Sequence, residues 1–172
     1  MALVIKRTAL FLAIVVLWAL IVAMARATTP GREIVAFSGF TPGTIVVKTH
    51  ERRLYYVLAG ERALRFPVGV GRAGMQWTGA TRVAGKFVEP AWRAPRAINH
   101  GILGPVIPGG SPHNPMGVAA LTLRGSEYAI HGTNNPASIG RFVSHGCIRM
   151  YNRDISKLFA LVPVGAPVIV EQ

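Results

Sequence analysis

Cys147 is the single cysteine of the chain, and it stands in the run Ser144-His145-Gly146-Cys147-Ile148-Arg149-Met150. A thiol at its free pKa is only slightly ionised at neutral pH, so nucleophilic use requires a base or a stabilising cation within hydrogen-bond reach. Three candidates stand near it in sequence: His145 two residues before, Arg149 two after, and His131 sixteen residues upstream in Ile130-His131-Gly132-Thr133. Alternation along an extended segment would keep His145 on the face of Cys147, whereas a turn at Gly146 would send it elsewhere. His131 ends a strand-like run, and the loop after it contains Gly, Pro and Asn, so the two segments can return side by side. The competing reading is structural. A lone cysteine is most often an inert buried hydrophobe, and a lone strand-end histidine is usually structural.

Two other patterns compete for attention. Gly69, Gly71 and Gly74 spell a dinucleotide-binding G-x-G-x-x-G, but no helix pattern follows to receive a pyrophosphate, and turn glycines between strands explain the same letters. His113, His131, His145 and Cys147 could in principle hold zinc, yet no carboxylate stands near them as the general base of a metal hydrolase.

The segments that must position these residues read mainly as strands. Short runs rich in Val, Ile and Tyr occur at 44–48, 54–58, 63–70, 86–88, 118–123, 128–131 and 167–170, with Gly and Pro between them about every eight to twelve residues. That spacing predicts an all-β sandwich or barrel. Residues 90–117 are Pro-rich, irregular and long enough to be functional, in keeping with a lid. One short amphipathic helix is predicted near the C-terminus. Asn152 is its expected N-cap, Asp154 sits in the first turn, Ile155, Leu158, Phe159 and Val162 form the apolar stripe, and Pro163 ends it.

The whole chain has 172 residues, 19 Lys+Arg against 7 Asp+Glu and a formal charge of +12. Its length suits one modest domain, and one cysteine excludes a disulfide scaffold or a multi-cysteine zinc site. After Lys6 and Arg7, the run 8–25 carries no charge and is apolar on every face. Residues 1–27 are therefore expected to be a signal peptide or an N-terminal membrane anchor. Small-x-small cleavage sites occur at 23–25 and 25–27, while the length of the run suits an anchor. Either route exports the remainder, to the periplasm or cell envelope, secreted or held at the inner membrane through residues 8–25. Residues 28–42 read as a Pro/Gly-rich linker into a domain over 43–172. The exported part keeps a formal charge of +9 over 145 residues, since Lys6, Arg7 and Arg26 go with the leader. Export disfavours nucleic acid as the partner of that basic surface, leaving acidic polymers or lipid headgroups. General solubility is the plainer account.

His131-Gly132-Thr133-Asn134, the Ser144 to Met150 run and Asn152 together resemble the signature of the L,D-transpeptidase catalytic domain, or YkuD, family. The similarity extends over most of 43–171, including Pro67-Val68-Gly69-Val70-Gly71, Pro90-Ala91-Trp92, Asn114-Pro115-Met116-Gly117 and Val164-Gly165-Ala166-Pro167-Val168. The His-to-Cys motif is the specific part of it. One departure is Trp77-Thr78-Gly79, where the family more often has Thr-Pro-x-Gly.

The resemblance implies a YkuD-like β-sandwich or barrel acting as a cysteine transpeptidase on peptidoglycan stem peptides, donor and acceptor. In it Cys147 matches the nucleophile and His131 the general base, with the Gly132 carbonyl orienting the imidazole. Ser144, His145 and Gly146 match the loop before the nucleophile, where backbone N–H groups of Gly146 and Cys147 are candidate oxyanion donors. Arg149 matches an arginine that holds the site or a substrate carboxylate, and Asn152 would tie the loop to the helix as its N-cap. No cofactor or metal is implied, and acylation of the cysteine by carbapenems is. The alternative from another class is a non-catalytic cell-wall-binding module, for which a thiol would have no use.

Overall fold

The computed structural model describes residues 33–96 and 99–172. The leader assigned to 1–27, and the start of the linker, lie outside the described residues. Among those described, no helix is long and apolar enough to cross a membrane.

Strands dominate, in chain order β1 (Glu33–Ala36), β2 (Ile45–Lys48), β3 (Arg53–Leu58), β4 (Arg62–Pro67), β5 (Val70–Gly71), β6 (Gly79–Val88), β7 (Trp92–Arg93), β8 (Val106–Ile107), β9 (Ala119–Leu123), β10 (Ala129–His131), β11 (Phe142–Ser144), β12 (Ile148–Arg149) and β13 (Pro167–Glu171). One α-helix, α1 (Asn152–Leu161), stands between β12 and β13. Nine strands form one sheet in the order β1-β4-β3-β2-β13-β6-β9-β10-β12, and two small pairs, β11-β5 and β7-β8, complete a sandwich-like arrangement. Among the described residues the expected mainly β class with one short α-helix is what is found.

Alternation along β2 and β3 explains why both faces of that part of the sheet are covered. Ile45, Val47 and Leu54 join the main core with Phe66, Leu121, Ile130, Ile148 and Leu158, while Val46, Tyr55 and Val57 point the other way into a second cluster with Ala63. That second cluster needs a cover, and the stretch read as linker supplies it. Residues 33–36 pair antiparallel with β4, Val35, Phe37 and Phe40 pack on the cluster, and Phe37 stacks on Tyr55 with ring centroids 4.3 Å apart. The linker over 28–42 is thus corrected at its described end. Its Pro and Gly mark turns, but its apolar side chains close the back of the sheet.

Other boundaries also move. The run 63–70 is divided at Pro67 into β4 and β5, as a residue without an N–H should divide it. The strand expected over 86–88 is only the end of the ten-residue β6, which hides from periodicity because Val83 is its single buried residue. What stabilises β6 is backbone pairing on both sides, with β13 and β9. The 90–117 segment contains a small antiparallel ribbon, with Trp92 opposite Ile107. Most pairings are antiparallel as expected, but β13–β2, β11–β5 and β10–β12 are parallel, and the last of these builds the site.

Helix α1 buries Ile155 and Leu158 against the sheet. Lys86 on β6 donates to the carbonyls of Phe159 (2.6 Å) and Val162 (2.7 Å), placing a cation at the helix C-terminus where the backbone dipole favours it. The N-terminal expectation is corrected. The cap position is Tyr151, with no side-chain cap bond, and Asn152 is the first helical residue. Its side chain is drawn off by a stronger demand, the buried Thr133 N–H, which donates to Asn152 Oδ1 at 2.9 Å.

Candidate active site

A parallel pair of short strands sets the geometry. In β10 and β12, Ile130 lies opposite Ile148 and His131 opposite Arg149. Both isoleucines are buried in the core, so alternation turns His131 and Arg149 to the other face, and Cys147, two residues before Arg149, shares it. A parallel pair needs a crossover of a dozen or more residues; residues 132–147 provide it, and β11 within them pairs with β5. The far side of β12 is held by Gly69, whose N–H donates to Arg149 O (2.9 Å) and whose carbonyl accepts from Arg149 N–H (2.8 Å). Gly69 and Gly71 of the discarded dinucleotide pattern therefore serve as close-packed neighbours of the segments on either side of Cys147.

His131, Ser144, His145, Cys147 and Arg149 all line one cleft of about 500 Å3. His113 does not line it, and among the described residues no group of three or more His, Cys, Asp or Glu is placed to hold a metal ion. The other wall comes from 90–117, through Trp92, Arg93, Pro115 and Met116. Asn114 organises that wall. It is buried, donates to the carbonyls of Pro90 (2.8 Å) and Pro108 (3.1 Å), and accepts from the Met116 N–H (2.9 Å).

The imidazole of His131 is fixed from below. Nδ1 lies 2.7 Å from Gly132 O, and because a carbonyl only accepts, Nδ1 carries the proton and Nε2 is the basic nitrogen. Burial drives its pKa from 6.5 to about 4; the Gly132, Met116 and Pro115 carbonyls oppose this and the Arg149 charge adds to it. Burial likewise raises the Cys147 thiol, with the Ala129 N–H and the Arg149 charge pulling partly back. His145 is lowered by desolvation and by Arg72 and Arg149. Both shifts run the same way, favouring a neutral thiol and a neutral imidazole in this cleft over a standing thiolate–imidazolium pair. Underneath, Asn152 joins the Gly132–Thr133 backbone to α1, and a Cβ on Gly117 (φ +66°) would run into Asn152 Oδ1 and the Thr133 nitrogen.

The loop before Cys147 is stitched by its own serine. Ser144 Oγ donates to Cys147 O (2.6 Å) and accepts from the Gly146 N–H (3.1 Å). The Gly146 N–H, expected among the oxyanion donors, is thereby engaged. Gly146 has φ +121°, and a Cβ there would meet the Tyr128 ring, so only glycine fits. Trp77 Nε1 donates to Gly146 O at 2.9 Å and stacks on Tyr128, centroids 5.4 Å apart. Tyr128 is not among the sequence candidates, and Trp77 enters there only as a departure from the family's Thr-Pro-x-Gly, with no role attached, because its partner Gly146 is 69 positions away. Arg149 Nε is buried in the site without a hydrogen-bond partner, a donor available to an anionic ligand.

Known proteins resemble this chain in sequence and in fold. The "Probable L,D-transpeptidase YbiS" of Escherichia coli K12 is 43% identical over 136 residues, covering 72% of this chain and 43% of that protein. The "Probable L,D-transpeptidase ErfK/SrfK" of Salmonella typhimurium is 43% identical over 135 residues, covering 72% and 42%. The chain thus spans less than half the length of these curated relatives. Among solved structures, L,D-transpeptidase 3 from Mycobacterium tuberculosis, in complex with a faropenem-derived adduct, superposes with a TM-score of 0.60 at 17% identity, over 75% of this chain and 60% of that one, and so shares the fold. The model of the L,D-transpeptidase catalytic domain matches residues 42–170, three quarters of the sequence, and the chain belongs to that family, YkuD.

Proposed function

We propose that the protein is a peptidoglycan L,D-transpeptidase using Cys147 as nucleophile and His131 as general base. The observation that carries this is the common cleft: a single thiol and an imidazole with an unprotonated Nε2 open onto it from paired strands. Since both groups are neutral at rest, the thiol proton passes to His131 Nε2 as sulfur attacks the carbonyl of the L-centred third residue of a donor tetrapeptide stem. Collapse of the tetrahedral intermediate breaks the bond to the terminal D-alanine, whose amine takes the proton from His131, and leaves a thioester on Cys147. An acceptor amine from a neighbouring stem then loses its proton to His131 and resolves the thioester as a 3→3 cross-link. Water in its place gives L,D-carboxypeptidase activity. Arg149 and Arg93 line the cleft against the one carboxylate of Glu127, leaving cationic donors for a carboxylate-bearing peptide. On this reading the domain works outside the cytoplasm, in the periplasm or envelope, free or tethered by residues 8–25.

The test is Cys147→Ala incubated with tetrapeptide muropeptides beside the wild type. Wild type should release D-alanine and the variant should form no product; persistence of product in the variant refutes the thioester.

A further inference from the structure

In the turn that delivers Cys147, the Gly146–Cys147 peptide is tied at its carbonyl and open at its N–H. The Gly146 N–H goes to Ser144 Oγ, the Ser144 hydroxyl proton to Cys147 O, and the Gly146 carbonyl accepts from Trp77 Nε1. Among the described residues nothing accepts the Cys147 N–H. That N–H belongs to the same peptide unit as the Gly146 carbonyl, and no peptide bond here is cis. In a trans peptide the C=O and N–H point in opposite directions. Whatever holds the carbonyl therefore aims the N–H.

The holder is built for rigidity. Trp77 is half-buried against the main core, its ring lies nearly parallel to Tyr128 (17°), and Tyr128 itself fills the space where a Gly146 side chain would be. The strand-to-loop segment carrying Trp77 is anchored again by the Arg72 N–H on Ser144 O (2.9 Å), so the turn is gripped at both ends by one element. Trp77 does not line the cleft, whereas Ser144, His145 and Cys147 do.

We propose that Trp77 is a positioning residue that locks the Gly146–Cys147 peptide plane so that the Cys147 N–H faces the reacting carbonyl as its oxyanion donor. The proposal rests on the acyl-transfer reading above. Negative charge gathers on that carbonyl oxygen in the tetrahedral intermediate, and a donor fixed beforehand costs no reorganisation when it does. Simple alkylation of the thiol develops no such charge and should not register the peptide's orientation.

Two probes of Cys147 separate these effects: acylation by imipenem, which passes through an oxyanion, and alkylation by iodoacetamide, which does not, both followed by intact mass on the full chain. Trp77→Phe keeps a ring against Tyr128 and removes the N–H. Replacement of Trp77 by 3-benzothienylalanine keeps the bicyclic shape and removes the N–H alone, and it decides the matter should the phenylalanine variant melt early. The expected result is a loss of about tenfold in imipenem acylation, a fraction of the roughly 10² to 10³ lost when an oxyanion donor is removed outright. Iodoacetamide alkylation should change less than twofold, with its pH profile unmoved. Unchanged acylation in the isostere, or equal loss with both probes, overturns the assignment of Trp77. A wild-type chain that turns over no tetrapeptide overturns the acyl-transfer reading and this inference with it.

Discussion

Acidification should cost this protein stability through one imidazole. His131 is buried and held neutral, its pKa lowered from 6.5 to about 4 chiefly by desolvation. An unfolded chain takes up that proton as pH falls through 6.5, while the folded chain does not until pH 4. Between those values the unfolded state binds more protons, so stability falls with falling pH; the stabilising contribution is complete above pH 6.5 and gone below pH 4. A difference of about 2.5 in pKa, at ~1.4 kcal/mol per pKa unit, amounts to about 3 kcal/mol. The measurement is urea unfolding of wild type and His131→Gln at pH 7.5, 5.5 and 4. The glutamine cannot titrate, so carboxylates and the remaining histidines cancel in the comparison. Wild type should lose about 3 kcal/mol more than the variant across the window. Parallel loss in both proteins would mean that the imidazole is hydrated or already charged, and the neutral thiol–imidazole pair would have to be abandoned.

The same burial raises the Cys147 thiol, so its alkylation by iodoacetamide should climb with pH toward a midpoint above the ordinary thiol value. A rate plateau persisting down to pH 5 would instead report a standing ion pair. Asn152→Ala leaves the Thr133 N–H without its acceptor and should cost about 1–2 kcal/mol in urea unfolding; an unchanged midpoint would show that the contact is dispensable. Gly146→Ala should destabilise by more than about 2 kcal/mol, through the Tyr128 clash and a φ that L-residues avoid. Adding Tyr128→Ala should restore only part of that loss, and complete rescue would assign it all to the ring.

How far the sequence reaches depends on the range of the interaction. The strand-rich class, the stripe of Ile155 and Leu158 on α1 and the family itself were legible, because alternation, helical period and a contiguous motif are local properties of the chain. Even the linker misjudgement was local: Pro30, Pro42 and the nearby glycines spoke for turns, while the surface that Phe37 covers is made by β3 and β4, further along. For Asn152 the local sequence suggests an N-cap, but its side chain takes the Thr133 N–H from nineteen residues away, a partner that no neighbour effect reveals. What folding alone decided is the parallel seating of β12 on β10, the cleft this opens, and the desolvation that shifts His131 down and Cys147 up. The grip of Trp77 on the turn before Cys147 belongs with these. Each depends on which surfaces exclude water and which distant backbones meet, and no window of sequence contains both partners.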